Sequence, residues 1–590
     1  MELSGQTLGT GTTPWFRRTA ATKTFRVPGS WLPWLCFGAT LILYLLYLGI
    51  LPPEPYFGRL RDDALYFSSA KALAQGEGYV IPSLPGRPPQ TKYPVLYSWL
   101  LSWIWRWYPS FPPNISPAAR MTAFFGCWFL AAAFELLRRF RGVGIWPALV
   151  LVSLCAFEPH ILMLSRALLS DLPFAALALT AALAGDGAMR SRAGPTRAVV
   201  AGALAGLSVM MRTVGVAVIA GIVAAALHRR AYRRAALFCL AAAPFFLASL
   251  WGSGPSLAPA TTGIKHGGPS AFPGWDQTLL YYTSYAKFWR LCVPSWSVFW
   301  AMLASNLRSM VAGPALYLLA PTLRPDKSFA SAALAGIVSA GAVAGIVRQA
   351  RSQEWRPIHF IMVFYSAVIL IWNYPIFDRF LLPFVPVFYM GLWVEGKHLV
   401  QLALTSRSAR RPIGERVLGG VMLTGLAALA GVGLWNYRYG FRSQMPGFAK
   451  QLALMAGEKA QVYRWVRWNT DPSAIFIAYQ DAGLYLYTGR TAVSPICFST
   501  EYVYTGEKSV LERDLAHITD AATALNARYW LVSEDDFQLE IEDAQPVIKE
   551  RVARLMSAMP EVYHSAGGKV RLYDISPLMR RAPLRSAQMK

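Results

Sequence analysis

Two adjacent carboxylates, Asp62 and Asp63, follow two arginines, Arg59 and Arg61. Further on stand Lys92, in Thr91-Lys92-Tyr93-Pro94, and a separate acid, Asp171, in Leu169-Ser170-Asp171-Leu172-Pro173. A positioned carboxylate takes a proton from a hydroxyl or amine. Arginine and lysine beside it neutralise a phosphate or another anion. The chemistry on offer is therefore proton abstraction next to an anion site. A plainer role also suits these acids. The spacing of Leu65, Phe67, Ala70 and Leu73 predicts a helix over 62–75, ended by Gly76 and Gly78. Acids at a helix start cap it and suit its dipole, worth up to ~1 kcal/mol. Asp171 could do the same, with Pro173 in the first turn.

The elements that must position these residues are membrane spans. Of 590 residues, 54% are hydrophobic and 15% charged, where a soluble domain carries about a quarter charged. The net charge of +25 in a soluble chain would suggest nucleic acid. Here the basic residues fall mostly in short connections between apolar runs, the pattern of cytoplasmic turns, so no nucleic-acid partner is expected. The six cysteines show no CxxC pair and no zinc spacing. Cys36, Cys127, Cys155 and Cys239 read as small hydrophobes, and Cys292 and Cys497 as unpaired thiols.

A basic tail (Arg17, Arg18, Lys23, Arg26) precedes an apolar run from Trp31 to Leu51. This reads as an uncleaved signal anchor with a cytoplasmic N-terminus, residues 1–30 forming the tail. Spans are expected near 116–137, 144–161, 169–185, 198–212, 214–228 and 235–251. Basic connections at 138–141, 190–197 and 228–234 fall on alternate turns. The intervening turns, 53–115, 158–170 and the one from 252, are then outside, with the acids. Arg348–Arg356 and Lys397–Arg416 are also basic, so an odd number of crossings must precede Arg348. The stretch 309–320 is too short to span comfortably and reads as re-entrant; 329–347 is the crossing. Spans at 357–373, 380–396 and 417–435 bring the total to about eleven within residues 31–436. Residues 437–590 are more charged. Helices are expected at 446–468, 507–525 and 541–557, and buried strands at 474–478 and 529–532. This predicts a C-terminal extracytoplasmic α/β domain.

The acidic pair after the first span, Gly76-Glu77-Gly78-Tyr79, Lys92-Tyr93-Pro94-Val95-Leu96-Tyr97-Ser98-Trp99, the second-loop acid and the late Phe377-Asp378-Arg379-Phe380-Leu381-Leu382-Pro383 together resemble the GT-C glycosyltransferases. That group includes protein O-mannosyltransferases and the lipid A aminoarabinose transferase. The likeness is strongest over residues 30–230. It implies a GT-C-like helical core with a cavity open to the outer face and the lipid. It also implies that Asp62 deprotonates the acceptor and that Asp171 is the second-loop acid. Asp63 stands where many relatives have Glu, which leaves its role less fixed. Lys92 and Arg379 match residues at the donor phosphate, with Arg61 and Arg59 as further cations. Tyr66 and Tyr93 are expected to contact substrate. Some relatives bind a divalent metal at these acids and others do not, so Asp62, Asp63 and Asp171 are candidate oxygen ligands for Mg²⁺ or Mn²⁺.

The function expected is transfer of a sugar, with inversion, from a polyprenyl-phosphate donor in the membrane to an extracytoplasmic acceptor. The membrane is the plasma or inner membrane. The alternative is a secondary transporter or lipid flippase. Transporters place ionisable groups near the midplane and show repeated halves, whereas the candidate acids here gather at the outer edge. Arg212 reads equally as a cavity residue or one snorkelling to the interface. His160 and His266 read as loop histidines, and Asp481 as a turn or cap residue. Tyr281, Tyr282 and Tyr285 read as a sugar platform or an interfacial belt.

Overall fold

The computed structural model describes residues 31–50, 56–190, 194–252, 272–319, 329–376, 378–406, 412–538 and 542–581. The basic N-terminal tail and His266 lie outside these segments, as does Phe377 of the late motif. Among the described residues, four helices are long and apolar enough to cross a membrane: Leu32–Ile50, Ile115–Arg138, Phe329–Ser352 and Ile413–Asn469. Shorter apolar helices are Ile145–Ala156, Pro195–Met211, Thr213–His228 and Pro357–Leu370. Only 22% of the apolar window in Leu32–Ile50, and 6% of that in Ile413–Asn469, is buried inside the protein. Apolar faces this bare need lipid to cover them.

The basic connections meet at one end of the bundle. Arg229 lies 3.1 Å from Asp186 and 3.0 Å from Glu354, and donates to the Trp355 carbonyl. Arg356 donates to the Arg139 carbonyl and Arg234 to that of Arg190. The candidate acids lie at the other end. Asp171 opens the helix Asp171–Ala188, on which Asp186 sits near the far terminus. Fifteen residues at 1.5 Å each set the two acids roughly 22 Å apart. In the same way Arg212 precedes and Arg229 follows the helix Val216–His228, and Arg356 and Trp372 flank Pro357–Leu370.

Close helix contact fixes the turn that carries Arg379. Val385–Ser406 follows a 3₁₀ turn, Asp378–Phe384, and crosses Phe329–Gln353 through facing glycines. A Cβ on Gly345 would meet the Gly391 carbonyl oxygen at 1.9 Å, and one on Gly391 would meet that of Ala342 at 2.1 Å. Small residues permit such approach in apolar bundles. Beside the crossing, Arg348 grips Glu395 with two bonds of 2.9 and 3.1 Å.

The stretch 309–320 is not an isolated short segment. Residues 309–319 are the second half of a 24-residue helix, Trp296–Leu319, and residue 320 lies outside the described residues. Ser305, Asn306 and Arg308 interrupt its apolar pattern, but Asn306 is buried and donates to the carbonyls of Leu370 and Trp372 at 3.0 and 2.8 Å. The helix from Ile413 runs through residue 437, passes a wider turn at Gly440–Gln444 and continues to Asn469.

Five strands follow: β1 (Phe476–Ala478), β2 (Ala492–Val493), β3 (Tyr529–Ser533), β4 (Glu561–His564) and β5 (Val570–Asp574). They form one sheet in the order β2-β1-β3-β5-β4. β1 is parallel to β2 and β3, and β5 is antiparallel to β3 and β4. Alternation along β1 divides its side chains between two cores. Phe476 and Ala478 pack with Val462 and Tyr463 of the helix Met445–Asn469. Ile477 and Tyr479 join the core that continues into the helical bundle. This register carries Tyr479 and Asp481 toward the acids.

Candidate active site

The end of the bundle opposite the basic turns holds a cavity of about 410 Å³. The first loop contributes Arg61, Asp62, Tyr66, Lys92 and Tyr93 to its wall. Asp171, Arg212 and Arg379 come from three later segments, and His160, Tyr281, Tyr285, Trp372, Tyr374 and Tyr479 are also exposed to it. Four cations, Arg61, Lys92, Arg212 and Arg379, face two carboxylates, Asp62 and Asp171. The wall thus has an excess of two positive charges.

Asp62 does not cap its helix. Its Oδ1 accepts from the Tyr93 hydroxyl and its Oδ2 from Arg379 Nη2 at 2.9 Å. Burial alone would raise its carboxyl. The charges of Arg379 and Lys92, with the bonds from Tyr93 and Arg379, outweigh that and hold it at about 2. Asp171 is buried and pairs through Oδ1 with Arg212 at 2.5 Å, while its Oδ2 has no hydrogen-bond partner. A buried polar oxygen without a partner costs ~1–3 kcal/mol, a cost tolerated where the oxygen faces a site. Burial opposes the charge on Arg379, but Asp171 and Asp62 together keep its pKa well above the ordinary arginine value. Arg379 therefore lies under the influence of both acids.

Lys92 is buried, with its Nζ 3.5 Å from the centre of the Tyr281 ring and 5.2 Å from that of Tyr93. Tyr66 stacks obliquely on Tyr93 at 4.4 Å and shares a 2.9 Å hydrogen bond with Ser170, linking the two acidic loops. Arg61 has φ 60, a backbone conformation that costs a non-glycine residue ~1–3 kcal/mol. Its guanidinium donates to the Tyr282 hydroxyl at 3.0 Å and lies 4.7 Å from the Tyr479 ring centre. Tyr282 in turn donates to Asp481. Burial pushes the Asp481 carboxyl up, against the pull of Arg61 and of the Tyr282 bond.

Two expected site residues lie elsewhere. Asp63 is turned away from the cavity: its Oδ2 accepts from Gly58 N and its Oδ1 from Ala64 N, both at 2.9 Å. The plainer role, holding the helix start, is the one Asp63 fills. Arg59 stacks on Phe448, 5.1 Å from its centre, and is not part of the cavity wall. These positions also bear on the candidate metal ligands. Asp63 faces backbone, while Asp62 and Asp171 are each held by an arginine. Among the described residues no three or more His, Cys, Asp or Glu side chains converge as a metal site. The donor set does not fit a divalent cation.

Other wall residues were not legible as such in the sequence. His160 has a partner, with Nδ1 2.7 Å from Oε1 of the buried Glu158, whose Oε2 caps the helix Pro159–Leu164. The only sequence signal was Glu158 two positions before it. Trp372 and Tyr374 lie just ahead of Arg379, and that proximity was their signal. Tyr479 had none beyond its place at the end of β1. Arg212, read two ways from sequence, pairs with Asp171 at the cavity. Tyr281 and Tyr285 line it, whereas Tyr282 points to Asp481.

No protein-family model matches the sequence, and no curated protein matches it. Among solved structures, the chain is similar to ArnT from Cupriavidus metallidurans in the apo state, with 12% identity and a TM-score of 0.45 over 93% of this chain and 98% of that one. The same protein bound to undecaprenyl phosphate gives 13% identity and a TM-score of 0.47 over 92% and 97%. The oligosaccharyltransferase of Archaeoglobus fulgidus in complex with Zn and sulfate gives 13% identity and a TM-score of 0.49 over 91% and 73%. Structural neighbours of this chain are thus ArnT, the lipid A aminoarabinose transferase, and an archaeal oligosaccharyltransferase, both GT-C glycosyltransferases.

Proposed function

We propose that the chain is a membrane glycosyltransferase that takes a sugar from a polyprenyl-phosphate donor and passes it, with inversion, to an acceptor outside the cytoplasm. The observation that carries this reading is the half-buried Asp62 carboxylate, paired with Arg379, in a cavity whose wall holds two more cations than acids. A sugar phosphodiester brings one negative charge, and its departure as lipid phosphate adds another. Arg379 and Lys92 are the groups to hold that phosphate. Asp62 is the base for the acceptor proton. Asp171 and Arg212 keep Arg379 in place, and Tyr66 and Tyr93 face the sugar. Direct attack by the acceptor on the anomeric carbon inverts it.

In this reading the chain crosses the plasma or inner membrane about eleven times. The basic turns are cytoplasmic, and the cavity and C-terminal sheet are on the extracytoplasmic face. The test is turnover by the purified protein with a panel of polyprenyl-phosphate sugars, wild type beside Asp62→Asn. Release of polyprenyl phosphate should fall by about 10²–10⁴-fold in the variant, with expression and membrane insertion unchanged. Normal turnover in Asp62→Asn removes the assignment.

A further inference from the structure

Asp62 has the wrong partners for a base at rest. Oδ1 is occupied by the Tyr93 hydroxyl and Oδ2 by the Arg379 guanidinium at 2.9 Å. A carboxylate held in this way has little tendency to accept a proton, and its pKa of about 2 says the same. General-base catalysis works best with a pKa near the working pH. The cation that suppresses Asp62 is also one of the four that line the cavity.

We propose that Arg379 is shared: the donor phosphate takes its guanidinium from Asp62, and this exchange creates the base. The proposal rests on reading the cavity as a lipid-phosphate-sugar site. A guanidinium binds a phosphate through two parallel bonds and is not committed to one acceptor. Arg379 can leave Asp62 without losing all its compensation, because Asp171 also stabilises its charge. Asp171 is fixed at 2.5 Å by Arg212, so that support stays when Arg379 turns. Lys92, buried against the Tyr281 ring, adds a second cation for the phosphate.

The order of events follows. The donor phosphate enters and engages Arg379 and Lys92. Asp62 keeps the bond from Tyr93, and its Oδ2 is freed toward the acceptor. The acceptor hydroxyl gives its proton to Oδ2 as its oxygen bonds to the anomeric carbon. The bond from that carbon to the phosphate oxygen breaks, and its electron pair leaves with the phosphate. When the lipid phosphate departs, Arg379 returns to Asp62 and the proton passes to water. With no donor bound, Asp62 is held back as a base by Arg379.

Competition for one guanidinium makes a prediction opposite to that for an ordinary binding residue: removing Asp62 should tighten phosphate binding. The probe is undecaprenyl phosphate, titrated by calorimetry into the full chain in detergent. Wild type should bind. Asp62→Asn should bind at least about fivefold more tightly, although it has lost turnover, and Arg379→Gln should lose most of the affinity. Asp62→Ala removes the same competitor and serves if the Asn variant does not fold, as judged by its melting curve. Measurable wild-type binding with equal or weaker binding in folded Asp62 variants overturns the competition and leaves the functional reading intact. Absence of binding by wild type overturns that reading, and the competition with it.

Discussion

Tyr282 donates its hydroxyl hydrogen to Asp481 across 199 residues of sequence, and Arg61 donates to the same tyrosine oxygen. The helix Asp481–Thr488, which follows β1, therefore supports a cation in the wall of the cavity. Gln277, one turn earlier on the helix Pro273–Thr283, adds a 2.7 Å bond to the Cys497 carbonyl, and Thr278 accepts from Cys497 N at 3.1 Å.

Asp481 is thus a positioning residue for Arg61. If Arg61 adds to the proposed anion site, Asp481→Ala should raise the KM for the donor more than it lowers kcat, because it loosens a cation of the cavity wall and leaves Asp62 in place. Asp481→Asn retains an acceptor for Tyr282 and should recover much of the loss. Steady-state kinetics on both variants separate this from general destabilisation, which would lower the active fraction and leave KM unchanged.

The neighbouring acids should separate cleanly. Asp63→Asn keeps an oxygen for Gly58 N and should retain most of the turnover, while Asp62→Asn should not. Neither Asp63 nor the arginine-held Asp62 and Asp171 is arranged for a divalent ion, so EDTA should leave turnover unchanged. An EDTA-sensitive enzyme restored by Mg²⁺ or Mn²⁺ would show that these side chains rearrange around an ion.

Asp171 and Arg212 should behave as one unit. Removing either partner of a buried pair leaves an uncompensated charge, at about 3–5 kcal/mol. Asp171→Leu and Arg212→Met should each lower thermal stability strongly. The double variant should lose less than the sum of the two. It should nevertheless remain inactive, because Arg379 has lost its second acid. Melting curves and turnover on all four proteins test this.

A separate buried group gives a pH signature. Asp536 has one oxygen bonded to Ser533 N at 2.9 Å and the other without a hydrogen-bond partner. Burial pushes its carboxyl up to about 7; Lys459 opposes the rise and Asp535 adds to it. Its folded value is raised, so the folded state holds the proton more tightly than the unfolded chain. Between the ordinary value of 3.8 and about 7, this group makes stability fall as pH rises. Asp62, held at about 2, acts in the opposite sense and only below its ordinary value of 3.8, where stability is lost as pH falls. Asp536→Asn should flatten the neutral part of a melting profile taken from pH 5 to 8. A profile identical to wild type would exclude Asp536 as its source.

Hydropathy, a property of consecutive residues, was enough to mark the apolar helices, and the alternation of basic turns grouped 138–141, 228–234 and 348–356 before any contact was known. The strand at β1 and the helix from Asp62 were likewise visible from local periodicity. The helix Trp296–Leu319 was only half visible, because its buried Asn306 reads as a polar break until its acceptors on Leu370 and Trp372 are in view.

Which residues do chemistry was a different matter. Successive residues on a helix point about 100° apart, so Asp62 and Asp63 leave the helix in different directions, and the packing that turns Asp63 to the Gly58 and Ala64 amides is what leaves Asp62 to the cavity. Arg379 lies 317 residues from Asp62, and Arg212 meets Asp171 only because two helices begin at the same level of the bundle. Local sequence fixes residue type, periodicity and the order of the spans. Side-chain direction and ion pairing between distant segments depend on how the helices rotate and pack, and that is settled only when the whole chain is folded.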